Sequence, residues 1–307
     1  MKKEVITLIG PTASGKTSIC LELGKEFPIE VISADSRQIY KEMDIGTGKV
    51  SEEERKIVPH HLIDIKNPDE IYSVYEFLCD CRKKIEEIRK RKKVPIICGG
   101  TIFYIKGMLN GMFPEPLIPY EVRKGVREEI EKKGTLKMYE ELQKIDPDSA
   151  RRIHPNDKQR IARAIEVYRA SGFTLTQLWK KGNQNRIPLC LFSILPSKKE
   201  LKGRIEKRVR MMFKEGFVEE VRRLLKKGYS PNFYSFTSLG YKEVAEYILN
   251  GNNKNLEEII RKVIKETKEY ANRQITFIKS LPGVKIYDDS EKLKKDIIRE
   301  IEKQKEN

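Results

Sequence analysis

The sequence predicts an α/β protein in which a parallel sheet, with helices on both faces, is interrupted by an all-helical insertion. Short β-branched apolar runs alternate with helical segments, which is typical of a doubly wound parallel sheet. Between residues 112 and 186 the pattern is instead helical, highly charged and without a convincing strand. We therefore expect a core built from residues 1–111 and 187–307 and a helical insertion domain over residues 112–186.

The predicted strands are short, apolar and bounded by glycine, proline or polar residues, as expected for buried parallel strands. They are Val5–Ile9, Ile29–Ser33, His60–Ile65, Val94–Cys98, Ile187–Leu195 and Val284–Tyr287. Helical periodicity predicts helices over Lys16–Glu26, Val74–Arg91, Lys198–Lys214, Val218–Lys227, Lys242–Leu249 and Leu256–Lys279. A proline-rich segment, Met112–Pro119, is expected to act as the hinge at the start of the insertion.

Composition indicates a folded protein with a polyanionic partner. Of 307 residues, 38% are hydrophobic and 35% charged, which excludes a disordered chain, and the formal net charge is +16. Such a surplus favours nucleic acid, although a Lys/Glu-rich surface of thermophilic type would also produce it. The five cysteines are odd in number and scattered, which predicts reduced thiols, mostly in the core. With no hydrophobic signal region and no long apolar run, we expect a cytoplasmic protein without membrane segments.

A phosphate-binding loop follows the first predicted strand. Its sequence is Gly10-Pro11-Thr12-Ala13-Ser14-Gly15-Lys16-Thr17, which matches G-x-x-x-x-G-K-[ST] between a strand and a helix. The backbone N–H groups would cradle a polyphosphate, Lys16 would reach its terminal phosphate, and Thr17 would offer its hydroxyl to a bound Mg²⁺. The predicted fold is therefore P-loop NTPase-like, but the polyphosphate need not be ATP.

The acidic residue expected beside such a loop is displaced. The strand Val94–Cys98 ends in Gly99-Gly100-Thr101, where many P-loop proteins carry a carboxylate that holds the metal. The carboxylate instead follows the strand Ile29–Ser33, as Asp35. At the carboxyl edge of a parallel sheet it would face the ligand crevice. From there it could bind metal indirectly or act as a base toward a second substrate.

Motifs over nearly the whole chain resemble those of bacterial tRNA dimethylallyltransferases, the IPP transferase family. They are Gly10–Thr17, Asp35-Ser36-Arg37-Gln38-Ile39-Tyr40, Met43–Thr47, Pro59–Ile65, Gly99-Gly100-Thr101, His154–Val167, Gly240-Tyr241-Lys242-Glu243 and Arg273-Gln274-Ile275-Thr276. The resemblance implies that the N6 amine of the adenosine 3′ of the anticodon attacks C1 of dimethylallyl diphosphate and releases diphosphate. The substrates would be tRNA and dimethylallyl diphosphate, with Mg²⁺ as cofactor.

The resemblance also implies residue roles. Asp35 corresponds to the residue that accepts the N6 proton, Thr101 to a hydroxyl near the reacting atoms, and Arg208 to an arginine on the diphosphate. The segments resembling tRNA contacts comprise Asp35, Ser36, Arg37, Gln38, Thr101, Arg123, Gln159, Arg160, Ile161, Ala162, Arg163 and Arg273. Asn272 replaces a lysine often found before Arg273 in the family, so a phosphate contact there is not expected.

Simpler alternatives exist for several of these residues. Arg204 and Arg208 share one helix face and would also suit a solvated basic surface. Ile161, Ile165 and Tyr168 are expected to form the buried stripe of their helix, leaving Arg160 and Arg163 more exposed. His60 and His61, as adjacent strand residues, point to opposite faces and are expected to pack rather than bind one metal. Core packing is likewise expected for Trp179 and for Phe233-Tyr234-x-Phe236.

Two other functions remain open from the residues themselves. One is a P-loop kinase acting on a small metabolite, and the other is a non-catalytic RNA-binding NTPase. The displaced carboxylate argues against the kinase, and the insertion argues against a relative that prenylates free nucleotides. A monomer is expected, because one enzyme would enclose one tRNA arm.

Overall fold

The computed structural model describes residues 3–113, 116–182, 186–251 and 255–306. Within these ranges one parallel six-stranded sheet forms in the order β3-β2-β4-β1-β5-β6. Its strands are β1 Val5–Ile9, β2 Ile29–Ala34, β3 His60–His61, β4 Val94–Gly99, β5 Leu189–Ile194 and β6 Lys285–Tyr287. The parallel α/β class predicted from the sequence is therefore confirmed. Of the predicted hinge, Pro114 and Glu115 lie outside the described residues.

Helices connect and cover these strands. In chain order they are α1 Lys16–Glu26, α2 Glu52–Ile57, α3 Val74–Lys90, α4 Ile102–Asn110, α5 Tyr120–Lys133, α6 Thr135–Ile145, α7 Pro147–Ala150, α8 Lys158–Ser171, α9 Leu175–Gly182, α10 Lys198–Lys214, α11 Phe217–Lys226, α12 Tyr241–Leu249, α13 Leu256–Lys279 and α14 Ser290–Glu306. A short 3₁₀ turn spans Tyr234–Thr237.

Local sequence explains where several helices begin. Gly15 has φ +94°, a left-handed conformation that glycine adopts without steric cost, and the chain enters α1 directly after it. Helices α2 and α3 each begin with a capping box, in which a serine caps the helix and a glutamate three residues on bonds back to it. Those pairs are Ser51 with Glu54 and Ser73 with Glu76.

The chain divides into two compact units. The first contains residues 1–106 and 187–307, and the second contains residues 107–186. In the first unit, apolar side chains of β1, β2, β4 and β5 pack with those of α1 and α14. The second unit has a separate core from α5, α6, α7 and α8, in which Val126, Met138, Leu142, Ile161 and Ile165 are almost completely buried.

Two details differ from the sequence predictions. The strand predicted over His60–Ile65 ends after His61, because Leu62 (φ +61°) and Asp64 (φ +57°) adopt left-handed backbone conformations that a strand cannot contain. The buried stripe of α8 includes Ile161 and Ile165, but Tyr168 is 37% exposed, so its predicted burial is wrong.

Candidate active site

The carboxyl ends of β1, β4 and β2 lie side by side and bring the predicted catalytic segments together. Strand β1 leads into the phosphate loop, β4 leads into Gly100 and Thr101, and β2 leads into Asp35. Because all three strands run parallel, these loops share one edge of the sheet, where ligands of open α/β sheets bind.

The phosphate loop is closed around Lys16. The Lys16 ammonium donates to the carbonyl oxygens of Gly10 (3.0 Å) and Pro11 (2.8 Å) and lies 3.4 Å from Ser14 Oγ. Burial lowers the pKa of Lys16, while the Asp35 carboxylate is among the groups that oppose this shift. A half-buried ammonium held by neutral carbonyls can exchange them for anionic phosphate oxygens.

Gln274 in α13 ties the phosphate loop to the end of β4. Its side chain accepts a hydrogen bond from the Thr12 N–H (2.9 Å) and donates one to the Gly100 carbonyl (2.8 Å). Gln274 is 3% exposed. The sequence indicated no site role for Gln274, because its partners lie 262 and 174 positions away in the chain.

Asp35 and Thr101 are each held by a backbone N–H group of the loop that follows β2. The Asp35 carboxylate accepts from the Arg37 N–H (2.8 Å), and Thr101 Oγ1 accepts from the Ser36 N–H (3.0 Å). The Thr101 hydroxyl hydrogen can be donated to Ser36 Oγ, 3.4 Å away, or to a substrate atom. The acidic group and the hydroxyl predicted to act on substrate are thus held by adjacent backbone groups, the N–H groups of Arg37 and Ser36.

Arg208 reaches from α10 to the loop that follows β2. Its Nη2 donates to the carbonyls of Thr47 (3.3 Å) and Gly48 (3.4 Å), and the Gln38 amide also donates to the Gly48 carbonyl (3.2 Å). Burial lowers the pKa of Arg208, and the Asp35 carboxylate acts in the opposite direction. Arg204, one turn earlier, binds the Ser14 carbonyl and Glu200.

Two cavities flank the phosphate loop. One, of about 640 Å³, is lined by the predicted site residues Thr12, Ala13, Lys16, Thr17, Asp35, Ser36, Arg37, Gln38, Thr101, Arg208 and Arg273. The other, of about 970 Å³, is lined by Ser14 and Gly15 and by Lys41, Lys207 and Arg204. Lys16, Thr17 and Arg208 line both. Gly10 lines neither cavity, and its carbonyl accepts a hydrogen bond from the Lys16 ammonium.

Aromatic side chains surround the smaller cavity. Arg37 stacks over the Tyr234 ring at 4.8 Å and donates to the Tyr234 carbonyl (3.1 Å), while the exposed Arg273 lies 5.8 Å from the Tyr270 ring. Burial, and then Asp35, raise the pKa of Tyr270 to about 12. Tyr234 is 53% exposed, so the packing predicted for it is wrong, whereas Phe236 is completely buried as predicted.

The predicted tRNA residues of the second unit differ in exposure. Gln159 and Arg160 are exposed on the first turn of α8, where Arg160 makes a loose ion pair with Asp157 (3.3 Å). Arg163 is half-buried beside Glu166 (3.8 Å). Ile161 and Ala162 pack in the core of this unit and are 0% and 9% exposed. Their side chains are therefore packed inside the unit, and their burial does not support the RNA contact predicted for them.

Two further side chains of this unit were singled out by the sequence. Arg123 lies half-buried in α5, and its Nε is buried without a hydrogen-bond partner among the described residues. Trp179 packs edge-on against Phe113 (5.4 Å) but is 37% exposed, so it is less enclosed than predicted.

No cluster of three His, Cys, Asp or Glu residues suited to a metal ion occurs in the described parts of the chain. His61 binds Glu30 (2.6 Å) and His60 binds the Val58 carbonyl (2.7 Å), in agreement with the packing role predicted for both. All five cysteines are free, and Cys20, Cys81 and Cys98 are buried. Among the helices described, none is both long and apolar enough to cross a membrane.

Fold and site together define a P-loop α/β protein in which a carboxylate and a hydroxyl line a cavity beside the phosphate loop. The family model described as IPP transferase matches residues 38–281. A tRNA dimethylallyltransferase of Dictyoglomus turgidum is 43% identical over 95% of this chain and 89% of its own length. One of Alkaliphilus oremlandii is 40% identical over 94% of this chain and 92% of its own length. The chain therefore belongs to the IPP transferase family.

Solved structures agree with this assignment. A full-length tRNA isopentenylpyrophosphate transferase of Bacillus halodurans aligns over 99% of both chains with a TM-score of 0.71 and 32% identity. A eukaryotic dimethylallyltransferase acting on tRNA aligns over 90% of this chain and 70% of its own, with a TM-score of 0.75 and 28% identity.

Proposed function

We propose that this protein transfers the dimethylallyl group of dimethylallyl diphosphate to N6 of the adenosine 3′ of the anticodon in tRNA and releases diphosphate. The observation that carries the proposal is the meeting of Lys16, Arg208, Asp35 and Thr101 around one cavity. Family membership supports this transferase reaction over a small-metabolite kinase or a non-catalytic RNA-binding NTPase.

The site suits an allylic transfer. As the C1–O bond breaks, carbocation character grows at C1 and negative charge grows on the diphosphate. Lys16, Arg208 and the backbone N–H groups of the phosphate loop stabilise that developing charge. Both cations are half-buried, and the lower local dielectric strengthens these interactions compared with fully solvated ones.

Asp35 activates the nucleophile. An adenine amine is a weak nucleophile because its lone pair is delocalised into the ring. A carboxylate that accepts a hydrogen bond from N6 returns electron density to the nitrogen and takes the proton as the C–N bond forms. Thr101, fixed by the Ser36 N–H, keeps a hydroxyl hydrogen that can orient the base or the bridging oxygen.

Thr17 is the residue proposed to hold Mg²⁺. It stands in the first turn of α1 and lines both cavities, while the described residues present no multi-carboxylate metal cage. This arrangement fits an ion that arrives largely coordinated by water and by substrate phosphate oxygens. When bound, Mg²⁺ would neutralise charge on the leaving diphosphate.

The helical insertion is proposed to grip the anticodon arm. Gln159 and Arg160 are exposed, and Arg160 is only loosely paired, so its guanidinium is available to a phosphate. Arg37 and Arg273, each beside a tyrosine ring in the core unit, are proposed to contact the nucleotides around the target base. We further propose a monomeric enzyme acting in the cytoplasm.

One assay tests the function directly. The protein is incubated with labelled dimethylallyl diphosphate, Mg²⁺ and unmodified tRNA that carries adenosines after the anticodon, and label in tRNA and ATP turnover are measured in parallel. The proposal expects label on N6 of the first adenosine after the anticodon and no ATP turnover. ATP hydrolysis without transfer to tRNA would favour the NTPase or kinase alternatives instead.

A further inference from the structure

Glu220, in α11, carries a carboxylate whose hydrogen-bonding capacity is completely used. It lines neither cavity described above and is 1% exposed. Its Oε2 accepts from the N–H groups of Asp44 (2.9 Å) and Ile45 (2.7 Å). Its Oε1 accepts from the Gly46 N–H (3.2 Å) and the Tyr241 hydroxyl (2.6 Å). A carboxylate has about four lone-pair sites, and each has a donor here.

The segment that Glu220 holds is the one that contacts Arg208. Residues 44–48 form a tight turn closed by the Gly48 N–H to the Ile45 carbonyl (3.0 Å). The carbonyls at the far end of this turn, those of Thr47 and Gly48, accept from Arg208 Nη2. The carboxylate therefore fixes one end of a short rigid turn whose other end meets the guanidinium.

The turn has little freedom to shift. A Cβ at Gly46 would lie 2.1 Å from a ring carbon of Phe217 and 2.6 Å from one of Tyr241, so the backbone is already packed against α11 and α12. Movement in the opposite direction would leave three N–H groups and a buried carboxylate without partners, which is strongly unfavourable. Burial, and then Glu220, raise the pKa of Tyr241, so its phenol remains a donor to the carboxylate.

We propose that Glu220 is a positioning residue for diphosphate binding: by fixing residues 44–48 it sets the carbonyls that orient Arg208. The inference rests on the proposed function, in which Arg208 stabilises the leaving diphosphate. A glutamine could not replace this carboxylate, because its NH₂ group would face backbone N–H donors instead of accepting from them.

The test is a kinetic cycle of Glu220→Gln and Arg208→Ala. In E220Q we expect the KM for dimethylallyl diphosphate to rise about tenfold, since buried donors lose their acceptor, while the KM for tRNA stays nearly unchanged. In the R208A background, E220Q should add little, because the residue through which it acts is already missing. Glu219→Gln is the matched control: this exposed neighbour pairs with Arg222, and its replacement should leave both KM values unchanged.

A purely structural role gives a different pattern. E220Q would then lower the thermal midpoint without selectively raising the KM for dimethylallyl diphosphate. Alternatively, E220Q would raise this KM by the same factor in the R208A background as in the wild type. Either result overturns the proposal. If E220Q does not fold, Tyr241→Phe, which removes one of the four hydrogen bonds, is taken through the same cycle under the same criterion.

Calorimetry separates this inference from the proposed function. Binding of inorganic diphosphate is measured without tRNA in the wild type, E220Q, R208A and the E220Q/R208A double variant. The positioning role is supported if E220Q binds diphosphate more weakly than the wild type while E220Q/R208A binds it as well as R208A. This result would count even if no transfer to tRNA occurs. Equal diphosphate affinity in E220Q and the wild type would refute the positioning role even if transfer does occur.

Discussion

Asp35 is the residue on which the proposed chemistry depends most directly. Its carboxylate also accepts the Arg37 N–H, so Asp35→Asn can keep this turn through the amide oxygen while losing the ability to take a proton. We expect kcat to fall about 10²- to 10⁴-fold, the usual contribution of a positioned base. The Kd for tRNA, measured by filter binding, should change little. A collapse of tRNA binding with intact chemistry on bound tRNA would contradict the role of Asp35 as base.

Gly48 leaves the space that Arg208 occupies. It has φ +57°, and a Cβ there would lie 1.8 Å from Arg208 Nη2. Gly48→Ala should therefore displace the guanidinium and raise the KM for dimethylallyl diphosphate roughly tenfold, in addition to about 1–2 kcal/mol of backbone strain.

Gly283→Ala is the control for that prediction. Gly283 has φ +70° and no atom within 4 Å of the Cβ position, so this change brings similar backbone strain without touching the arginine. It should lower the thermal midpoint and leave KM unchanged. Equal KM values for G48A and G283A would mean that the position of Arg208 does not control diphosphate binding.

At the scale of residues, the sequence predicted site residues that are charged or stand in a recognisable motif. It missed residues that act through contacts with distant parts of the chain. Asp35, Lys16 and Thr101 stand in local patterns with a chemical reason. Glu220 and Gln274 do not, because their partners are backbone groups on distant segments that come together after folding. Tyr234 was expected to pack, but the four-residue 3₁₀ turn that carries it is too short for helical or strand periodicity to reveal its orientation.

At the scale of elements, Glu30 joins β2 to its surroundings at the end opposite the site. It is buried, and burial alone would raise its pKa, but hydrogen bonds from Arg91, His61 and Lys93 outweigh this and lower the pKa to about 2. Because folding lowers the pKa of this carboxyl, its stabilisation is present above the ordinary value of 4.5 and is lost as the pH falls toward about 2.

Glu30→Gln should therefore lower the free energy of unfolding near neutral pH and reduce its loss between about pH 5 and pH 2. Urea unfolding across this range measures both effects. Glu22→Gln serves as the control, since Glu22 is half-exposed and pairs with Lys294 at the surface. An E30Q protein whose unfolding free energy depends on pH as steeply as the wild type would show that Glu30 does not contribute this dependence.

Elements with strong periodicity were predicted almost to the residue, and weaker ones were not. Strand β1 and helices α1, α10 and α13 have the predicted bounds. Helix α14 had no prediction, although Leu293, Ile297 and Ile301 repeat every four residues and are completely buried against the sheet. Its highly charged remaining positions obscure that stripe. The short β3 could not be foreseen, because left-handed conformations at Leu62 and Asp64 follow from tertiary packing rather than from residue type.

For the whole molecule, the contacts proposed for the two substrates differ in their chemistry. Diphosphate is a compact anion, and its proposed partners Lys16 and Arg208 are half-buried cations, which salt screens less than fully exposed ones. The proposed tRNA contacts Arg160 and Arg273 are exposed, on a chain of net charge +16. Raising the ionic strength should thus increase the KM for tRNA much more steeply than the KM for dimethylallyl diphosphate.

Arg160→Ala tests this division at one position. Loss of a single phosphate contact should raise the KM for tRNA several-fold and reduce the slope of its logarithm against log salt by about 1, while the KM for dimethylallyl diphosphate stays constant. Arg151→Ala is the matched control, because Arg151 is a similarly exposed arginine of the same unit that pairs with Asp148 and was not predicted to bind RNA. If both variants change the slope equally, the insertion attracts tRNA through its overall charge and Arg160 is not a specific contact. If neither changes it, Arg160 belongs to a solvated face, and the grip on the anticodon arm must come from other residues.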